Sequence, residues 1–290
     1  MHLVTFVHQE GPHVGAMTAR GIVDLRAAAP ALPHTLLELL DAGVAALRTA
    51  RAVVARALDD GVGLISTPAV QLLAPLPRPG KIFGIGLNYR DHAAETGKAT
   101  PEVPIVFSKA VTAVIGPGAA IEIPVVSAAI DFEGEVAVII GRRAKCVRRE
   151  HALACVAGYT IMNDVTARDY QARSGNCIAK SFDTFAPMGP ALVTPDDLGD
   201  PSALDLSTAV SGIEMQRANT RELIFDVPAL IEFLSAAVTL EPGDIITTGT
   251  PAGVGFRRTP PRFLGPGDTV RVEVSGIGVL ENPVRAAEGG

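Results

Sequence analysis

Short apolar runs, Leu3 to Val7 and Ile22 to Leu25, alternate with helical patterns over residues 1–73. In the clearest helix Leu47, Ala50, Val54 and Leu58 recur on one face with arginines on the other, and Gly61 stands where the helix would stop. Pro75, Pro77, Pro79 and Gly80 then fall within six residues, a stiff and extended composition that suits a linker. From Lys81 the pattern changes to short β-rich runs, Glu135 to Ile140, Ile245 to Thr248 and Thr269 to Val274, divided by glycine and proline turns. The phrase Leu-x-Pro-Gly-Asp occurs at Leu240 to Asp244 and again at Leu264 to Asp268, each time before a strand-like run. Pro-Gly supplies the two central residues of a type II turn. The expectation is an α+β, β-rich chain: a small amino-terminal domain over 1–73, a Pro-rich linker over 74–80, and a sandwich or barrel-like domain over 81–290.

Composition narrows the partners. With 48% hydrophobic and 19% charged residues among 290, disorder is excluded as the main description. A net charge of −6 offers no basic field for a phosphate backbone, so nucleic acid is not an expected partner. No uncharged stretch reaches the ~18 apolar residues of a membrane span, and Met1 to Glu10 lacks a basic region followed by an apolar one. Cys146, Cys155 and Cys177 are an odd number without a C-x-x-C spacing, which argues for free thiols and a cytoplasmic compartment.

Two glycine-rich stretches carry no nucleotide signal. Gly84-Ile85-Gly86 lacks the third glycine of a dinucleotide fingerprint, where Tyr89 stands, and no Gly-Lys-Ser/Thr follows Gly249 to Gly255. No G-x-S-x-G elbow is present either.

The chemistry-bearing residues cluster elsewhere. Asp131-Phe132-Glu133-Gly134-Glu135 runs into the apolar Val136 to Ile140. On a strand Asp131, Glu133 and Glu135 share one face at intervals of roughly 6.5 Å. If that face is interior, the charges repel and are poorly solvated unless they protonate or meet a cation, and hard carboxylate oxygens suit Mg²⁺, Mn²⁺ or Ca²⁺. A solvated acidic strand end is the plainer account. In Asn163 to Gln171, Asp164 reads as standing at or beside a helix N-cap, with Arg168 and Gln171 four and seven residues on along the same face. A capped helix with an ordinary i,i+4 pair reads the same way. His92 and Glu95 are three apart on a helical segment, close enough for the carboxylate to orient the imidazole as a general base. The remaining histidines, His13 among them, have no comparable surroundings in the sequence. Lys180 precedes a turn-rich stretch where partial burial would make it an anion clamp, although a surface lysine is commoner. Residues 247–255 offer hydroxyls and backbone N–H groups to a ligand carboxylate, as an ordinary turn also would.

Taken in order, six motifs resemble the fumarylacetoacetate hydrolase family. They are Gly86-x-Asn88-Tyr89-x-Asp91-His92-x-x-Glu95, Phe107-Ser108-Lys109, Asp131 to Glu135, Asn163 to Asp169, Lys180 to Phe185, and Thr248 to Pro251. The resemblance covers residues 81 to about 285. It implies a mixed β-sandwich roll, a homodimer, and a divalent metal held by Glu133, Glu135 and Asp164. It further implies a catalytic dyad of His92 and Glu95 on a lid segment, with Lys180 stabilising developing oxygen charge. Substrate contacts would come from Arg168, Gln171, Thr250 and Lys109. Ile85 stands where the founding hydrolase has a further aspartate ligand, which points to the smaller acylpyruvate-type branch.

The expected activity is hydrolytic C–C cleavage of a 2,4-dioxo acid such as an acylpyruvate or fumarylpyruvate. At the same site oxaloacetate decarboxylation or 2-hydroxy-dienedioate isomerisation are alternatives. A non-catalytic, cation-stabilised binding module needs the carboxylates but has no use for His92 or Lys180. Glu133→Gln is expected to weaken metal binding while leaving the fold largely intact.

Overall fold

The computed structural model describes residues 1–8 and 11–287, so the last three positions of the 81–290 assignment lie outside the described residues. Most of the chain builds one large mixed sheet and one five-stranded sheet. Along the large sheet the strands run Leu64–Ile65, Gly21–Asp24, Gly11–Thr18, His2–His8, Ala186–Val193, Val156–Asn163, Gly134–Ile140, Ile245–Thr247, Ile82–Gly86 and Ile105–Ser108. The smaller sheet orders Ile213–Asn219, Asp205–Val210, Thr269–Val274, Gly278–Ala286 and Ile121–Ile123, and packs across the centre of the first. The result is the expected β-rich α+β architecture.

The apolar runs explain the centre. Gly134–Ile140 is buried at every position because it is flanked by Val156–Asn163 and Ile245–Thr247 and covered by the second sheet. Both Leu-x-Pro-Gly-Asp phrases are turns with glycine at positive φ, Gly243 at 81° and Gly267 at 93°. In each, the closing aspartate N–H returns to the carbonyl three residues back, Glu241 at 3.0 Å and Gly265 at 3.1 Å. They launch the strands Ile245–Thr247 and Thr269–Val274.

In the first region, helix Gly43–Asp60 buries Ala50, Val53, Val54 and Ala57 and ends at Gly61, φ 76°, as the spacing predicts. His2–His8 pairs with Ala186–Val193, so this region is an extension of the same sheet. The proline-rich stretch runs against that sheet: Ala74 and Leu76 are buried, and the Thr5 hydroxyl donates to Pro75 O at 2.7 Å. One hydrophobic core includes Leu3, Leu76, Val138 and Val284. Among the described residues no helix is long and apolar enough to cross a membrane. The three cysteines are free thiols.

Candidate active site

The register of the central strands brings the acidic groups together. Gly134 lies opposite Asn163, so Glu133 and Glu135 at the start of one strand meet Asp164 just beyond the end of its neighbour. The turn is fixed by Asp164 N–H to Glu133 O at 2.8 Å and Glu133 N–H to Asn163 Oδ1 at 3.0 Å. One oxygen from each of Glu133, Glu135 and Asp164 lies within 4.8 Å of the others, and all three residues are buried.

Two local expectations are corrected. Asp164 is not a helix cap: the β-branched Thr166 pairs with Asp131 in the short strand Thr166–Ala167, and the helix Arg168–Ser174 begins only after Ala167. Asp131 does not join the acidic trio, because the chain breaks between the strands Ile130–Asp131 and Gly134–Ile140. Its carboxylate accepts instead from the N–H groups of Phe132, Gly255 and Phe256 and from Arg168 Nε.

Cations fill much of the remaining space. Lys180 Nζ lies 2.6 Å from Glu133 Oε2 and 2.5 Å from Asp164 Oδ2. Lys109 Nζ lies 2.5 Å from Asp164 Oδ1, and Arg168 bridges Asp131 at 2.8 Å and Glu133 at 2.6 Å. Four buried carboxylates thus face three buried cations, and Glu135 is the acid left without an ion pair among the described residues, its Oε2 accepting only the Gly249 N–H at 2.8 Å. Burial, then the charges of Asp164 and Glu133, push the Glu135 carboxyl well above its ordinary value. Burial also opposes the ionised form of Glu133, but Lys180 and Arg168 outweigh it and bring that carboxyl down to about 2. One uncompensated negative charge among clustered hard oxygens is the environment that a divalent cation satisfies.

Helix Arg90–Thr96 carries the dyad. His92 Nδ1 lies 2.9 Å from Glu95 Oε2, and the helix ends at Gly97, φ 69°. In the loop after Thr248, four of the N–H groups that residues 247–255 were expected to offer a ligand are engaged by the chain itself. The amides of Gly249, Ala252, Gly253 and Gly255 are donated to the chain's own carboxylates, Glu135, Asp91, Glu95 and Asp131 in turn. The Thr250 hydroxyl is likewise engaged, donating to Gly134 O and accepting from Gln216 Nε2. This loop clamps the acids of both the dyad and the trio.

A cavity of about 560 Å³ opens over this floor. His92, Glu133, Arg168, Gln171, Lys180 and Thr250 line it, whereas Lys109 lies beneath, fully buried on Asp164. Gln171 joins Arg168 to Asn176 by hydrogen bonds of 3.2 and 2.9 Å. Sequence reasoning missed Phe107, Asn176, Phe256, Lys98 and Arg257 on the cavity wall, and Gln216 behind Thr250. It also missed the buried His13, whose Nδ1 meets Asp24 Oδ2 at 2.8 Å. Nothing local in the sequence marks Gln216, which reaches the site from the second sheet. Leu87, also on the wall, holds a left-handed φ of 53°, and neighbouring Asn88 fixes the bend by donating to Phe225 O and Thr248 O.

Residues 81–285 match the family described as fumarylacetoacetate (FAA) hydrolase C-terminal. The chain is 44% identical over 290 residues to the mitochondrial oxaloacetate tautomerase Fahd2a of Rattus norvegicus, covering 98% of this chain and 91% of that one. A fumarylacetoacetate hydrolase from Exiguobacterium antarcticum is similar in structure, with a TM-score of 0.84, 33% identity and 99% of each chain covered. A maleylpyruvate hydrolase from Sphingobium sp. SYK-6, solved with manganese(II) and pyruvate, gives a TM-score of 0.83 at 31% identity, covering 99% of this chain and 100% of that one.

Proposed function

The chain belongs to the fumarylacetoacetate hydrolase family, and on that premise we propose a divalent-metal-dependent enzyme that forms the enol of a 2-oxo acid, with oxaloacetate keto–enol tautomerisation as its reaction. The observation that carries this reading is the unpaired, buried Glu135 beside Glu133 and Asp164, beneath a cavity whose wall holds His92 braced by Glu95. Similarity to the rat oxaloacetate tautomerase along nearly the whole chain supports the choice of reaction.

Glu133, Glu135 and Asp164 would hold Mg²⁺ or Mn²⁺, and their oxygens also suit Ca²⁺. When bound, such an ion supplies Lewis acidity to a substrate's carboxylate and 2-oxo oxygens. His92 would do the proton work. With Nδ1 committed to Glu95, Nε2 is the nitrogen left to take the C3 proton of the keto acid. The C–H electron pair moves into the C2–C3 bond, the C2–O bond becomes single, and the proton is returned to that oxygen. Lys180, on the cavity wall with its charge fixed by Glu133 and Asp164, would stabilise negative charge developing on oxygen. Arg168 and Gln171 would orient the substrate carboxylate, with Thr250 and, from below, Lys109 fixing the frame on which they act.

Hydrolysis of a 2,4-dioxo acid is the second reading, favoured by the likeness to the manganese- and pyruvate-bound maleylpyruvate hydrolase. There His92 takes a proton from water as its oxygen adds to the distal carbonyl. The C–C bond then breaks, its electron pair leaves on the pyruvate enolate, and protonation gives pyruvate and a carboxylic acid. We assign a homodimer as the active form, which sedimentation velocity tests directly.

The deciding experiment follows enol-oxaloacetate by ultraviolet absorbance, and acetylpyruvate in parallel, with metal-stripped and Mn²⁺-restored protein. Acceleration of tautomerisation that requires metal and is lost in His92→Ala supports the first reading. Cleavage of acetylpyruvate alone selects the second. Pyruvate released from oxaloacetate, or turnover of a 2-hydroxy-dienedioate alone, selects decarboxylation or isomerisation. Inactivity on every 2-oxo acid overturns all of them.

A further inference from the structure

Four cationic side chains line the cavity, and they divide into two kinds. Arg168 and Lys180 are matched by Asp131, Glu133 and Asp164. Lys98 and Arg257 make no ion pair with any described carboxylate. Glu95 feels the charge of Arg257 but gives its own oxygens to His92 Nδ1 and the Gly253 N–H.

Both residues are exposed, and the Arg257 side chain is held in place. Arg257 donates to Thr96 O and sits over the Phe256 ring, 5.1 Å from its centroid, so the guanidinium is braced between the end of the His92 helix and the cavity wall. Lys98 follows Gly97 in the turn that closes that helix, its N–H bonded to Ala93 O at 3.1 Å, which fixes where the side chain departs. Two unmatched cations on one concave wall repel each other and concentrate anions. Ile85, Ile105 and Phe107 add apolar surface to the same cavity, which suits a short carbon chain.

We propose that Arg257 and Lys98 form a subsite for a second carboxylate, making the preferred substrate a dianionic 2-oxo acid whose far carboxylate these two side chains hold. The proposal rests on the reading above for where the 2-oxo head binds. It adds that selection against neutral-tailed 2-oxo acids comes from this pair, and that Arg257 couples tail recognition to the helix bearing His92 through Thr96.

The test compares two five-carbon probes that differ only at the tail, 2-oxoglutarate and 2-oxopentanoate, titrated calorimetrically into Mn²⁺-loaded full-length protein. Wild-type protein is expected to bind 2-oxoglutarate at least about tenfold more tightly, the scale of one charge-assisted contact. The ratio should fall toward one in Arg257→Gln combined with Lys98→Gln, and should be largely kept in Arg257→Lys. Equal affinities in the wild type, or a preference that survives the double substitution, would overturn the subsite. A preference present in protein inactive on every 2-oxo acid would leave the subsite standing and remove only the proposed reaction.

Discussion

His92 and Glu95 lie one helical turn apart with Nδ1 and Oε2 separated by 2.9 Å, and the second oxygen of Glu95 takes the Gly253 N–H at 2.9 Å. The carboxylate is therefore held from two sides, so it can fix the imidazole ring rather than follow it. Removing the charge while keeping the shape, as Glu95→Gln, is expected to lower kcat by about ten- to a hundredfold with KM changed little, part of the 10²–10⁴ range of general-base catalysis. Steady-state kinetics at saturating Mn²⁺ checks this. A KM effect with kcat preserved would mean that Glu95 serves substrate binding instead.

The same pair has a pH signature. Burial alone would raise the Glu95 carboxyl, but the bonds from His92 and Gly253 outweigh it and hold it below its ordinary value of 4.5. A carboxylate depressed in the native state stabilises the fold above its unfolded value, and that contribution is lost as pH falls through the lowered native value. The stability difference between wild type and Glu95→Gln should thus shrink on acidification below about pH 4.5, as urea midpoints would show. A constant difference down to about pH 3 would contradict the pairing.

Glu135 and Glu133 are both proposed ligands but stand differently in the protein alone. Glu135 is the unpaired acid, so Glu135→Gln should raise the melting temperature in chelator while cutting Mn²⁺ affinity about a hundredfold or more. Glu133→Gln leaves Lys180 and Arg168 short of a partner, and is expected to cost about 3–5 kcal/mol even without metal. That reverses the expectation from sequence that the latter variant would leave the fold intact. Calorimetry of both variants with and without Mn²⁺ separates the two cases, and identical behaviour would refute the charge accounting.

What the sequence made legible were the short-range relations. The His92–Glu95 spacing, the turns at Gly243 and Gly267, and the stop at Gly61 are each fixed by backbone chemistry within a few residues. The acidic trio could be assembled only through resemblance, because its geometry depends on the pairing of Gly134 with Asn163 across the sheet. Asp131 was misread because strand periodicity assumed an unbroken strand through Phe132. The pairing of Lys180 and Lys109 with these acids, and the hold of the 249–255 amides on four carboxylates, are properties of chain crossings that no local pattern encodes.

Asp131 supports the site without joining the proposed ligands. It accepts four hydrogen bonds, two on each oxygen, so an amide at this position must turn its NH₂ toward donors whichever way it faces. Asp131→Asn should destabilise by about 1–3 kcal/mol and loosen Arg168, raising KM more than it lowers Mn²⁺ affinity. Thermal melts with kinetics and metal titration test this, and a wild-type KM would mean that Arg168 is held without Asp131.

Gly84 explains its own presence through the residue opposite. It pairs across the strands with Phe107, and a Cβ at Gly84 would collide with the Phe107 ring at Cε2 and Cζ. That ring lines the cavity and lies under the Lys180 ammonium, 4.9 Å from centroid to Nζ. Gly84→Ala must therefore push the ring into the cavity or away from Lys180, at an overpacking cost of about 1–3 kcal/mol. Because none of the three proposed metal ligands bonds to Phe107, Mn²⁺ affinity should stay within about threefold while kcat/KM falls about tenfold or more. Adding Phe107→Leu to Gly84→Ala relieves the collision, so the pair should be non-additive, with the double variant more stable and more active than Gly84→Ala alone. Strict additivity in both readouts would show that Gly84 acts by some route other than the Phe107 ring.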